Sequence, residues 1–329
     1  MLGIPKNESV KMYRLLAGIA LALFASTGFA QTWPVKPITI VVPFGAGGNT
    51  DTIARLTASH LAKALGTAVV VDNRPGASGL IAAKQVLGAP ADGYTLLMAT
   101  ATQMVTAPFV NQNFNYDPAK DFSPVVNIGA NAFVIATKSS LPVKSLGDLV
   151  TLAKQQPGKL NYGSGGTAAL THLSAYIFTK RADIDMVHVP YRGAAQAMSD
   201  LLGGAIDMYS ASPSEVIPHA AGGKVHLLAI SSATRLKELP NVPTIAEVFP
   251  GHEVTTWNGI VARAGTPADV LDRIAAEVLR MKNDPATLQK LEEAGVVPLF
   301  TARAAFGSQI QRELSMWGKT LKNSGIRTE

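Results

Sequence analysis

The sequence predicts an α/β protein made of two units, each a parallel sheet covered by helices on both faces. Three observations carry that prediction. Short apolar or β-branched runs alternate with helix-periodic segments through short polar connections. The plan occurs twice along the chain. In each half one strand runs into a glycine-rich turn that opens a helix: Phe44-Gly45-Ala46-Gly47-Gly48 in the first and Gly163-Ser164-Gly165-Gly166-Thr167 in the second.

The first unit opens on Ile38-Thr39-Ile40-Val41-Val42, a β-branched run that reads as a buried strand and is stopped by Pro43. Ile53, Ala54, Leu56 and Leu61 recur at helical spacing, so a helix begins near 49–52 and runs to about residue 65. Asn49, Thr50 and Asp51 are all competent N-caps. Strand, glycine-rich turn and helix in that order suit an anion. The first N–H groups of the helix have no partner inside it, and the helix dipole makes that end positive. The glycines let backbone approach a ligand with no side chain between. A nucleotide is disfavoured: Gly45, Gly47 and Gly48 read G-x-G-G rather than GxGxxG, and no Lys follows as a phosphate loop requires. A βα turn that binds nothing has the same local pattern, so this turn alone leaves both readings open.

Residues 68–71 form a second strand and 72–76 a turn, and Ala77-Ser78-Gly79 leads into a helix through residue 87. Residues 94–99 are a third strand, ending in the polar cluster Thr100, Thr102 and Gln103. Ligands of open parallel sheets gather outside the carboxyl ends of the strands. The 44–49 turn, Ser78, Thr100 and Thr102 would all lie at that edge. Residues 108–124 read as a polar, Pro-bounded loop, and 125–137 as apolar again. Ser145 is the expected cap of a helix over 145–155.

The second unit repeats the logic. Residues 160–162 are a strand, the second glycine-rich turn follows, and Leu170, Leu173, Ile177 and Phe178 share a helix face. Ser164 and Thr167 add hydroxyl donors to that turn. Strands are expected at 187–190, 206–209 and 225–230, with helices over 194–202 and 213–221. The strand ending at 209 leads into Ser210-Ala211-Ser212. Residues 254–262 read as the strand returning to the first unit. Thr266-Pro267 opens three closing helices, at 268–281, 285–294 and 302–323.

Composition narrows the function. The 329 residues hold 47% hydrophobic and 16% charged side chains, enough for two ordinary domains. There is no Cys, which excludes disulfides and thiolate ligands or nucleophiles. Aromatic content of 6% argues against an aromatic-lined sugar cleft. Lys11 and Arg14 precede an apolar run over 15–25, and Gly28-Phe29-Ala30 fits a cleavage site before Gln31, so residues 1–30 read as an export signal, with Met12 an alternative start. The mature chain is expected to be a monomer in the periplasm. It would carry 26 basic and 22 acidic side chains, too even and too scattered for a nucleic-acid partner. The six His are dispersed with no i,i+4 pair, so neither a metal site nor a cofactor is expected. His172 can orient the second turn by a hydrogen bond. Asp51 and Arg55 suit an intrahelical pair, and Arg192 is either an anion contact or an exposed turn residue. Gly-Ser-Gly around Ser164 is not the GxSxG nucleophile elbow, and no Asp/His pair is evident to activate Ser164.

Seven stretches then resemble one family in order along the chain: VVPFGAGGNTDTIAR (41–55), VVVDNRPGASG (69–79), PADGYTLL (90–97), LNYGSGGTAALTHLSA (160–175), VHVPYRGAAQAMSDLLGGAID (187–207), LPNVPTIAE (239–247) and WNGIVARAGTP (257–267). The chain resembles the substrate-binding proteins of tripartite tricarboxylate transporters, the Bug-type periplasmic receptors. One difference is Asp72 where the family often has Glu. The resemblance implies a two-lobed periplasmic binding protein of type II, or Venus-flytrap, form. Lobe 1 would be 31–130 plus 256–329, and lobe 2 131–255. It implies that a small organic anion lies between Phe44–Thr50 of one lobe and Ser164–Thr167 of the other, held by backbone, hydroxyls and water, and passes to a membrane permease. Ser78, Thr100, Thr102 and Ser212 complete the expected contacts. No acidic side chain stands in either glycine-rich turn to meet an ammonium, so the expected ligand is a di- or tricarboxylate or an aromatic acid without an α-amino group. A Val at position 48 or 166 is expected to block the ligand and spare the fold. A sensor presenting the same ligand to a signalling partner is the alternative, and a hydrolase or lyase is disfavoured.

Overall fold

A strand of β-branched residues that is buried at four of its five positions belongs inside a sheet, and β1 (Ile38–Val42) pairs on both sides. The computed structural model describes residues 33–191, 193–322 and 324–326, and the compact body begins at Lys36. The expected export signal and Arg192 lie outside the described residues. From β1 the chain runs through α1 (Asn49–Leu65), β2 (Val69–Asn73), α2 (Leu80–Gly88), β3 (Thr95–Thr100), the short α3 (Ala107–Val110) and the long β4 (Phe122–Ala132). It then builds a second sheet from β5 (Val134–Lys138), α4 (Leu146–Gln155), β6 (Asn161–Ser164), α5 (Leu170–Ala182), β7 (Val187–Pro190), α6 (Ala194–Gly203), β8 (Met208–Ala211), α7 (Pro213–Ala221) and β9 (Val225–Ile230). After α8 (Ile245–Val248), β10 (Thr255–Arg263) rejoins the first sheet, followed by α9 (Ala268–Arg280), α10 (Pro285–Glu293), β11 (Val296–Ala302) and α11 (Arg303–Leu321).

The strand orders are β11-β4-β10-β3-β1-β2 and β7-β6-β8-β5-β9. Both sheets are mixed, which corrects the parallel expectation. The chain leaves the first sheet at the carboxyl end of β4, so it re-enters at that same end and β10 runs against β3 and β4. In the second sheet β5 likewise runs against β8 and β9. Val134 at the start of β5 therefore pairs with Ala211 and Ile230 at the ends of β8 and β9. The carboxyl ends of both parallel sets thus face the crossover. Two sheets flanked by helices and joined in this way form the two-lobed fold. β11 was not expected between the last two helices, and part of the expected 108–124 loop is helical or belongs to β4.

The crossover is fastened by one serine. Ser231 is fully buried, and its Oγ accepts from the Phe133 amide at 2.8 Å and donates to the Val254 carbonyl at 2.6 Å. Its own amide donates to Phe133 O and its carbonyl accepts from the Val254 amide. Beside this clasp Ala168, Leu170 and Leu173, at the start of α5, join Phe133, Val254, Trp257 and Phe306 in one buried cluster. The second glycine-rich turn therefore sits on the first sheet's core. The cluster tolerates little extra volume: a Cβ on Gly259 would lie 2.6 Å from Phe306 Cζ and 2.8 Å from the Val126 carbonyl oxygen. Gly259→Ala is expected to lower stability by about 1–3 kcal/mol, read by urea unfolding; an unchanged midpoint would contradict this packing.

Candidate ligand-binding site

The first turn is tied down from inside the protein. Asp51, in the first turn of α1, is 3% exposed. Its Oδ2 accepts from the Gly47 amide and Arg55 Nε, and its Oδ1 from Asn73 Nδ2, each at 2.9 Å. Asn73 Nδ2 also donates to Phe44 O. Burial raises the Asp51 pKa, but bonds from Arg55, Gly47 and Asn73 outweigh it and the carboxyl is held below its usual value. Gly45 and Ala46 are exposed, Gly47 has φ +84°, and Gly48 is the extended N-cap of α1 with no side-chain cap on the helix. The N-terminal amides of a 17-residue helix are thus left for another partner. Thr50 is buried in α1, and the Asn49 side chain turns away, its Nδ2 donating to Ala294 O.

The second turn is held by two imidazoles. Ser164 is fully buried, and its Oγ meets Gly166 O at 3.0 Å, the Gly166 amide at 3.2 Å and His188 Nε2 at 2.7 Å. The structure thus places a histidine on Ser164 that the sequence did not reveal. It does not make a catalytic pair. His188 stacks on His172 at 3.8 Å and on Tyr162 at 5.1 Å, and Ser164 has no surface to offer a substrate. Burial pushes His188 down to about 4; burial and the neighbouring His188 push His172 down to about 3. Both rings are neutral at pH 7, so His172 Nδ1 can accept, and it does so from the Ala168 amide at 3.0 Å. That bond holds Ala168 at φ +61°, next to Gly166 at φ +141°. The Gly165 amide is taken by Thr171 Oγ1, and no side chain caps α5.

Between the two turns the lobes touch. Ser78 Oγ donates to the Thr167 carbonyl at 3.3 Å. Ser78 stands in a left-handed run, Gly76 at φ +125°, Ala77 at +47°, Ser78 at +53° and Gly79 at +87°. Non-glycine residues there cost about 1–2 kcal/mol each, and such strain gathers at functional positions. Thr100 sits at the end of β3 with its hydroxyl donating to Gln103 Oε1 at 2.7 Å. Thr102 is buried in a π-helical turn over Thr102–Thr106. Ser212 is the N-cap of α7, its amide donating to Glu215 Oε2. Ser78 and Thr167 are therefore in direct contact, whereas among the described residues no hydrogen bond joins the 44–50 turn to the 164–167 turn.

A cleft of about 550 Å³ flanks the first turn, lined by Gly47, Gly48, Asn49, Glu215, His219 and Lys290 among others. Sequence reading missed Glu215 and Lys290, which lie on separate elements that only tertiary structure brings to the first turn; it placed Gln103 in the polar cluster after β3 but not its bond to the Ser78 carbonyl. Among the described residues, no group of three His, Cys, Asp or Glu is arranged to hold a metal ion, and no helix is long and apolar enough to cross a membrane.

Comparison with known proteins gives the arrangement its context. A family model described as tripartite tricarboxylate transporter family receptor (TctC) matches residues 53–326. The chain is 35% identical over 322 residues to the "UPF0065 protein in tcbD-tcbE intergenic region" of Pseudomonas sp. strain P51, covering 96% of each chain. It superposes on "R. palustris Rpa4515 with adipate" with a TM-score of 0.85 at 35% identity, covering 90% of this chain and 99% of that one. For "MatC (Rpa3494) from Rhodopseudomonas palustris with bound malate" the TM-score is 0.81 at 29% identity, covering 88% and 100%.

Proposed function

The chain belongs to the tripartite tricarboxylate transporter receptor family, and from that premise we propose that it captures a small carboxylate between its lobes and delivers it to a tripartite-type permease. As a member it is a substrate-binding receptor, not an enzyme. The observation that carries the ligand site is Ser78 reaching Thr167 between two helix entrances that no side chain caps. The ligand carboxylate lies between the Phe44–Thr50 and Ser164–Thr167 turns and takes those of their amides that the protein leaves free, since the Gly47, Gly165 and Gly166 amides are already bound to Asp51, Thr171 and Ser164; Ser78, Thr100 and Thr102 stand at the same edge and Ser212 beyond. Adipate and malate in the two related structures favour a dicarboxylate over an amino acid. Residues 31–130 with 256–329 act as one lobe and 131–255 as the other, turning about the Phe133–Ser231–Val254 clasp. Residues 1–30 direct export to the periplasm.

A ligand that binds only the native state raises the unfolding midpoint by mass action. Thermal shifts of the mature protein with adipate, malate and succinate, against their diamides and against amino acids, test the proposal. A shift with one dicarboxylate that its diamide does not give is the expected result. A shift only with neutral or cationic compounds would overturn the anion site.

A further inference from the structure

Gln103 belongs to neither glycine-rich turn, yet it is wired to two of the candidate ligand groups. It is fully buried in the π-helical turn that follows β3, a departure from regular helix that often marks a functional position. Its Oε1 accepts from both the amide (3.0 Å) and the hydroxyl (2.7 Å) of Thr100. Its Nε2 donates to the Ser78 carbonyl at 3.4 Å. Its backbone carbonyl accepts from the buried Tyr116 hydroxyl at 3.0 Å, which anchors the turn from behind. The fit to the Ser78 segment is close: a Cβ on Gly79 would lie 2.1 Å from Gln103 Nε2. The side chain thus occupies the space in front of Gly79 and binds the carbonyl of the residue before it.

We propose that Gln103 is the positioning residue of the cleft, holding the left-handed Gly76–Gly79 run against β3 so that the Ser78 hydroxyl meets Thr167 on the opposite lobe. Four successive positive φ angles do not persist unaided, and two of them fall on Ala77 and Ser78, which have side chains. Thr100 fixes one end of the Gln103 amide and Ser78 receives the other, so the end of β3 sets where Ser78 points. This rests on the proposed function only in its consequence for ligand. With the run released, Ser78 no longer closes on Thr167 and bound ligand leaves faster, while its entry is unaffected.

Gln103→Met keeps the length of the side chain and removes all three of its hydrogen bonds to Thr100 and Ser78. Amide exchange measured by mass spectrometry on the ligand-free mature protein is expected to rise about ten-fold in a peptide over 76–82, with peptides over β1 and β5 unchanged. Adipate affinity is expected to fall about five-fold, all of it in the dissociation rate. A folded Gln103→Met protein with unaltered exchange over 76–82 overturns the proposal. If that variant does not fold, Thr100→Val, which removes one of the two bonds to Oε1, is expected to raise exchange over 76–82 about three-fold, and no rise there overturns it too. A wild-type protein that binds no dicarboxylate, with the exchange result as expected, refutes the carboxylate reading and leaves the role of Gln103 standing.

Discussion

Gly48→Val is expected to leave the fold standing and to weaken carboxylate binding about 100-fold. Gly48 has φ −81° and ψ 171°, extended backbone that Val adopts freely. A Cβ there would meet only the Gly45 carbonyl oxygen at 3.8 Å, an ordinary contact. The folding cost is confined to the poor N-cap preference of Val, about 1 kcal/mol. On the ligand side the branched side chain stands over the first-turn amides of α1, where the anion would sit. Excluding close approach should weaken binding by about 100-fold, or about 2.8 kcal/mol. Calorimetric titration with adipate, beside urea unfolding of the same variant, separates the two effects. Unchanged affinity would place the ligand elsewhere. Position 166 does not offer the same separation. Gly166 has φ +141°, a conformation L side chains rarely adopt, so Gly166→Val strains the turn as well as blocking it. The expectation that Val spares the fold is therefore kept for position 48 alone.

Asp51→Ala has the second large effect, and it falls on both stability and binding. The carboxylate is the shared acceptor of the Gly47 amide, Arg55 and Asn73. Without it the Gly47 amide and Asn73 lose an acceptor in a part-buried setting, and the loss is expected to be about 2–4 kcal/mol. The 44–48 turn also loses the bond that shapes it, so adipate binding is expected to weaken by about ten-fold. The effect has a defined pH dependence. The folded-state pKa of Asp51 is lowered from 3.8. Its stabilisation is therefore complete above that unfolded value and is lost as pH falls through the lower folded value. Urea unfolding of both proteins should give the full difference at pH 7 and a smaller one at about pH 3. An equal difference at the two pH values would mean that the ionised carboxylate is not what holds the turn.

Much of the fold and part of the candidate site were legible in the chain, because local chemistry states them. The run 38–42 has no polar partner but a sheet, Gly47 and Gly48 suit no regular element, and Ile53 to Leu61 repeat at helical spacing; strand, turn and helix follow in that order. Ser145 makes its expected capping box with Asp148, since both groups lie within one turn of helix. The family resemblance rests on the same local stretches. What the tertiary structure decided concerns partners far apart in sequence. β11 escaped notice because it is an edge strand interrupted by Pro298, with Val297 and Leu299 exposed, and so lacks a buried strand's pattern. The antiparallel course of β10 follows from where the chain crosses between the sheets, which no strand records in its own residues. His188 on Ser164, Gln103 behind Ser78 and Ser231 between Phe133 and Val254 depend on side chains meeting across 24, 25 and 98 positions of sequence. A hydrogen bond is specific only over about 3 Å. Residue type tells what can donate or accept; only the packed fold tells which donor and acceptor come within that distance.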